Sequence, residues 1–356
     1  MTAPRLEILL ADVEHNTRVL VDRLAPKGIR VTGVTKAVLG SPAVAAAMQR
    51  GGAVGLGDSR VENLARLRRA GLDGPTTLIR SPMRSRVDAV VAVADVSLNT
   101  EAVVLAALDL AARRAGTVHG VVLMVELGDL REGIVVDDVV DAAALVADHA
   151  GLRLAGIGTN LACQSGVAPD QAKMAELSAL AERVEARIGH RLDAVSGGNS
   201  ANLDWADAAS DVGRIDELRL GEAILLGTEP LHRRPVDGLR LDAATLVAEV
   251  IEVAVKPAQP WGEIAQSAHG EVPARTATGA VHQAILALGR QDVDPDGLLP
   301  PPGVAVLGTS SDHLVVDVGD HDVATGDELR FGLGYGALVR AATSPFVTTV
   351  LRATTS

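Results

Sequence analysis

The chain has 356 residues, 47% of them hydrophobic, and a formal net charge of −12. That length supports a large core and two domains, while the negative charge excludes a nucleic-acid partner, whose binders gather Lys and Arg. A single cysteine, Cys163, rules out an intramolecular disulfide and a cysteine-rich metal site.

The first residues carry no long apolar run, and no stretch of about 20 apolar residues free of charge occurs anywhere. A soluble, cytoplasmic protein without a membrane partner is expected. Aromatic residues are scarce and Tyr335 is the only tyrosine, so the core must be aliphatic.

In chain order, Leu6 to Leu10 reads as a short strand, followed by a helix to about Leu24 that Asp12 would cap. The run from Arg30 to Lys36, rich in β-branched residues, reads as a buried strand ending on a lysine. An amine there is costly unless it is paired, solvated or chemically used. Ser41 and Pro42 then form an N-cap and first helical position, and Gly51-Gly52 stops that helix.

The alternation continues. Strands are expected at 54–58, 76–80, 96–99, 121–126, 154–160, 192–196 and 217–220. Helices or turns follow them, among them 60–70, 101–114, 137–149 and 171–188. Eight such units counted from the Lys36 strand predict a closed (β/α)8 TIM-type barrel. An open doubly wound sheet is the competitor, weakened because no Gly-x-Gly-x-x-Gly follows the first strand.

Past Gly227 the rhythm changes. Residues 228–241 resemble a linker, and strand-like runs at 245–255, 281–288, 304–307, 314–318, 328–333 and 348–351 follow, with no long amphipathic helix. The expected domains are therefore a barrel, 1–228, and a smaller mostly-β domain, 229–356. The first strand, 6–10, is a candidate to pack with the second domain.

The barrel strands are expected to end on Lys36, Asp58, Arg80, Asn99, Glu126, Asn160, Ser196 and Arg219. A barrel carries its active site at these ends. The turn Ser196, Gly197, Gly198, Asn199, Ser200 allows close backbone approach and offers hydroxyl and N–H donors for a phosphate. A strand-end lysine and a phosphate turn on one face describe a pyridoxal phosphate site.

At this point the sequence resembles the fold-type III pyridoxal-phosphate racemases, the alanine racemase class, and most closely their ornithine racemase-like branch. The resemblance rests on 31–36, 57–63, 128–133, 156–160, 195–200, 219–224 and 308–313, and runs over nearly the whole chain. It implies an isomerase that interconverts L- and D-amino acids, with ornithine or a related amino acid favoured and alanine a further candidate. Lys36 would form the Schiff base to pyridoxal 5'-phosphate and carry the α-proton on one face. Arg219 would face the pyridine nitrogen, which it cannot protonate readily. Arg131 would hold the cofactor's phenolic oxygen and the substrate carboxylate with its planar fork. Asn160 would lie beside the ring, and Ser196 to Ser200 would hold the phosphate. A homodimer with sites shared between subunits is implied as well.

The chain also departs from that class. Gly40 stands where alanine racemases have a tyrosine four residues after the lysine, and no Ser-Tyr-Gly motif supplies the opposite-face base. Tyr335, His313 and Cys163 are the candidates, in that order. For a basic substrate side chain, Asp58, Glu62 and Glu126 are the expected carboxylate partners. The plainer reading of Arg131 is a surface ion pair with Glu126 or Asp129. Asp312-His313, in a Ser-Ser-Asp-His turn, is a candidate metal-binding pair, though no metal is expected. The alternatives are another reaction on the same cofactor, such as a D-amino-acid aldolase or dehydratase, and a non-catalytic cofactor-homeostasis protein.

Overall fold

The computed structural model describes residues 2–267, 269–270 and 278–353. In chain order the first half comprises β1 (Arg5–Leu9), α1 (Leu10–Leu24), β2 (Arg30–Val34), α2 (Pro42–Arg50), β3 (Gly55–Asp58), α3 (Val61–Arg69), β4 (Thr76–Leu78), α4 (Val87–Val93), β5 (Val96–Asn99), α5 (Ala102–Ala115) and β6 (His119–Met124). Next come α6 (Val139–Ala147), β7 (Leu152–Gly158), α7 (Gln171–Ile188), β8 (Ala194–Gly198), α8 (Leu203–Ala208), β9 (Glu217–Leu220) and α9 (Glu222–Leu226). Strands β2 to β9 pair in sequence order, all parallel, and β9 closes on β2. The expected closed barrel is borne out.

Its strands are read easily because both faces are covered. All six residues of β6 are buried, so the strand appears as an apolar run rather than an alternation. The helices end where their sequences say they should. Asp170 caps α7 by accepting the Lys173 N–H at 2.8 Å, and Gly189 closes it in a left-handed conformation. Two local expectations need correcting. Asp12 lies inside the first turn of α1, which already begins at Leu10. Ser41 sits at the N-cap of α2 but makes no capping hydrogen bond.

The strand ends shift as well. Strand β2 stops at Val34. The Thr35 N–H extends the ladder by one bond to Gly57 O at 2.9 Å, and Lys36 then enters a 3-10 turn. Similarly, β4 stops at Leu78, two residues before Arg80.

The remaining elements are β10 (Ala244–Pro257), β11 (Ala280–Leu286), β12 (Leu298–Leu299), β13 (Ala305–Thr309), β14 (Leu314–Asp317), β15 (Glu328–Leu333), α10 (Tyr335–Thr343) and β16 (Thr348–Arg352). They form one mostly antiparallel sheet in which β1 pairs antiparallel with β10 and parallel with β16. Helix α10 corrects the all-strand reading of this part. Gly334 provides its extended N-cap, and Ala337, Leu338 and Ala341 bury one face.

The chain divides into two compact units, Met1–Leu10 with Leu241–Ser356, and Ala11–Arg240. Residues 229–240 thus group with the barrel. They are no loose linker: Glu229 accepts the N–H groups of Leu231, His232 and Arg234. Asn16 holds the end of the segment, donating to Arg240 O at 2.9 Å and accepting from Arg240 N at 2.7 Å.

Candidate active site

Four strand ends of the barrel converge on Arg219. This arginine in β9 is buried; one Nη donates to Ser196 Oγ and the other to Thr159 O at 2.8 Å. Burial pushes its pKa below the ordinary value, while Glu217, Cys163, Arg131 and Glu132 all act on its charge. The loops after β6 and β7 therefore meet β8 and β9 around one buried guanidinium.

The turn after β8 is built to be bare. Gly198 has φ of 141°, and a Cβ there would stand 2.3 Å from Asn202 Oδ1. Asn199 closes the turn by accepting Ala201 N–H at 2.8 Å, and its own N–H goes to Asn202 Oδ1 at 3.1 Å. The turn thus uses internally some of the amides that its sequence seemed to offer a phosphate. The Asn199 side chain donates to Asn160 Oδ1, at 3.1 Å, to Leu161 O and to Cys163 Sγ. Asn160 Nδ2, buried beside this turn, has no protein partner. Ser81 Oγ and Asn99 Oδ1, buried after β4 and at the end of β5, also lack one. Buried polar atoms are normally satisfied; of the six such atoms without a partner among the described residues, these three lie at or just after barrel strand ends, and the others are one nitrogen each of His149, Arg290 and Arg352.

Lys36 is half-buried. Burial raises the pKa of Glu222 above its ordinary value, an effect that the cations of Arg233 and Lys36 partly offset. Next to Glu222, the Ala223 N–H donates to Ser200 Oγ at 3.2 Å. The start of α9 thus links the Lys36 turn to the glycine turn.

The expected carboxylate partners come out differently. Asp58 is enclosed and accepts from Thr35 Oγ1 at 2.8 Å, Arg60 N at 2.9 Å and Asn63 Nδ2 at 3.0 Å. Burial nevertheless raises its pKa. It braces the Lys36 turn and has no face open to a substrate. Glu62 is exposed and paired with Arg86. Glu126 accepts the N–H groups of Gly128, at 2.5 Å, and Leu130, at 3.1 Å, and so shapes its own loop. Buried Asp129 binds the backbone of Cys163, Gln164 and Ser165, which joins this loop to the one after β7. Arg131 pairs with neither Glu126 nor Asp129 but with Glu132. Glu132 escaped the sequence reading because nothing in its spacing separates it from an ordinary loop glutamate.

Of the opposite-face candidates, Cys163 is exposed in the barrel unit, 3.5 Å from Asn199 Nδ2. His313 and Tyr335 belong to the β unit. His313 Nδ1 lies 2.8 Å from Asp312 Oδ1 in an exposed turn. Tyr335 opens α10 and lines a cavity of about 560 Å³ with His269, Arg290, Asp294 and Arg340. His269 is a second residue that the sequence reading did not single out. A separate cluster in the barrel unit, Asp204, Glu229 and His232, is held by Arg234, which bridges both carboxylates.

No helix among the described residues is long and apolar enough to cross a membrane. Residues 8–230 match the alanine racemase N-terminal domain model. The chain is 38% identical to a lysine racemase of Thermotoga maritima over 98% of both proteins. It is 37% identical to an ornithine racemase of Acetoanaerobium sticklandii, covering 82% of this chain and 83% of that one. Among solved structures, the alanine racemase of Streptomyces coelicolor A3(2) superposes with a TM-score of 0.75 at 23% identity, covering 98% of this chain and 97% of that one. A D-threonine aldolase from Filomicrobium marinum also reaches 0.75, at 20% identity, over 96% of this chain and 88% of that one. The fold therefore hosts more than one reaction, and the full-length sequence relatives are the sharper guide. With a family model spanning the whole barrel and such relatives along its length, the chain belongs to the alanine racemase N-terminal domain family.

Proposed function

We propose that this protein racemises a basic amino acid of the lysine or ornithine class, with pyridoxal 5'-phosphate as its cofactor. That it is an amino-acid racemase, an isomerase, follows from its family and from its full-length kinship with lysine and ornithine racemases. That kinship carries the reading, and the site is consistent with it. A half-buried lysine, a turn with two adjacent glycines, an unpartnered Asn160 Nδ2 and a buried arginine form a donor set that fits the cofactor.

In this reading Lys36 and the turn from Ser196 to Ser200 would hold the cofactor, with Asn160 and Arg219 against its ring. When bound, pyridoxal phosphate supplies an electron sink that makes the substrate's α-proton removable. Lys36 Nζ takes or returns that proton on one face. Ser196 and the Thr159 carbonyl hold the Arg219 fork in place, and an arginine keeps its own protons, which limits side reactions that need a protonated ring. Arg131 receives the substrate carboxylate. Inversion needs a second proton carrier on the opposite face, and Tyr335, which lines one cavity with His269, is the first candidate. His313, tied to Asp312, and Cys163 rank behind it. A cytoplasmic location fits this chemistry.

The test is incubation with L- and D-amino acids in deuterium oxide. The expected result is α-deuterium and racemisation with lysine or ornithine. Lys36→Ala should abolish both, together with the protein-bound cofactor absorbance. Tyr335→Phe or His269→Asn should stop inversion while one enantiomer still exchanges its α-proton. Absence of exchange from lysine and ornithine alike in the wild-type protein would refute the reading.

A further inference from the structure

Arg131 and Glu132 are sequence neighbours whose side chains meet edge to edge, Nε to Oε2 at 2.5 Å and Nη2 to Oε1 at 2.7 Å. A guanidinium has two edges that fit a carboxylate, one formed by Nε and Nη2 and the other by the two Nη atoms. Glu132 occupies the first edge and leaves the second for another carboxylate. The pair sits on a loop pinched at its base, where Glu126 N–H bonds Ile134 O at 2.9 Å and Ile134 N–H bonds Met124 O at 2.8 Å. A Cβ at Gly133 would strike the Glu126 backbone at 2.5 Å, so the loop's path is fixed beside these two residues. Both charges act on buried Arg219, which puts the pair at the working end of the barrel.

Other carboxylates near this end are committed. Asp58 is enclosed, Asp129 and Glu126 bind backbone N–H groups, and Glu62 pairs with Arg86. Glu132 keeps 23% of its side chain exposed, and among the described residues its ion-pair and hydrogen-bond partner is Arg131. We propose that Glu132 sets the selectivity for amino acids with a cationic side chain, an inference that rests on the racemase reading above. Glu132 neutralises Arg131 while leaving its outer edge open. A substrate α-carboxylate that takes this edge adds a negative charge to a neutral pair. A distal ammonium offsets that charge by reaching the Glu132 carboxylate, and an apolar side chain leaves it uncompensated as water is excluded.

The holoenzyme and its Glu132→Gln and Glu132→Asp variants would be titrated with lysine, ornithine and norleucine, which lacks lysine's ammonium. The shift of the bound cofactor's absorbance gives Kd, and racemisation rates are followed in parallel. Wild-type protein that turns over neither lysine nor ornithine overturns the functional reading, and this proposal with it. Given turnover, Glu132→Gln should lower the preference for lysine over norleucine by about tenfold or more, the effect of one lost charge contact. Glu132→Asp should shift preference from ornithine toward lysine, because a shorter carboxylate needs a longer substrate. An equal loss for lysine and norleucine would make Glu132 only an orienter of Arg131 and overturn the proposal. Unchanged preferences in both variants would do so too.

Discussion

Acid should be felt first at His119. This ring is 2% exposed, lies 2.8 Å from Ser97 Oγ and is pushed by burial from 6.5 to about 4. The folded protein keeps it neutral, whereas the unfolded chain protonates it near 6.5. Between those values the unfolded state binds more protons, so stability falls as pH drops, until the folded ring also protonates near 4. The window is worth about 3 kcal/mol in all and about 2 kcal/mol between pH 7 and pH 5. Urea denaturation at the two pH values should show that loss in the wild-type protein and much less in His119→Gln. Equal slopes in both would refute the assignment. The bond to Ser97 also orients Asn99, which donates Nδ2 to Ser97 O at 2.7 Å and to Ser97 Oγ at 3.0 Å, leaving Oδ1 as the orphan acceptor.

At this scale the sequence was only partly legible. Asp58 was singled out because it ends a strand, yet its carboxylate turns to Thr35 and Asn63. Those contacts depend on how three turns approach one another, which no local pattern records. Glu132 was passed over for the opposite reason, since its partner is its own neighbour and adjacency carries no periodicity. Lys36 and Arg219 stood out because a long cation next to an apolar strand is rare enough to demand a reason.

Among the elements, β1 is pinned most firmly. Burial alone would raise the pKa of Glu7, but hydrogen bonds from Arg352, Arg330 and Arg5 outweigh it and bring the group from 4.5 down to about 2. Their distances are 2.8, 2.8 and 2.7 Å, so β1, β15 and β16 share one carboxylate. The stability this contributes is fully present above pH 4.5 and is lost as pH falls through about 2. Glu7→Gln removes the carboxylate that Arg330 and Arg352 share, while Arg5 keeps Glu328, and should cost about 3 kcal/mol. Amide exchange across β1, β15 and β16 should then speed up by about a hundredfold, with β2 to β9 unaffected. Unchanged exchange in β1 would show the cluster to be ornamental.

Element types were legible where burial leaves a continuous apolar run, as in β6. They were not where β-branched residues fill a helix. Val87–Val93 has four valines in seven positions and nonetheless forms α4, since tertiary packing overrides a weak intrinsic preference.

For the whole molecule, the expectation is a twofold homodimer in which each site draws on both subunits, as the racemase class implies. Light scattering should return twice the 36.7 kDa chain mass. Coexpressing Lys36→Ala with a variant of the opposite-face carrier should restore activity that neither chain has alone, because a mixed dimer keeps one intact site. A monomer, or failed complementation in a dimer, would argue for sites built within one chain.

Strand β1 sets an order on biosynthesis. Its parallel neighbour β16 is synthesised long after it, while the strands of the barrel, from Ala11 to Arg240, are complete well before β16 emerges. A barrel that folds during synthesis replaces most of the flexible chain between Leu9 and Thr348 with a rigid body, which lowers the entropy cost of joining the two ends. Until then, the apolar residues Leu6, Ile8 and Leu9 have no finished sheet to enter. The same pairing sets Arg5 beside Thr348 and Leu9 beside Arg352 in one sheet. Joining the end of β16 to the start of β1 through a short linker and opening the chain in an exposed barrel loop should therefore yield a permuted protein whose sheet can assemble early.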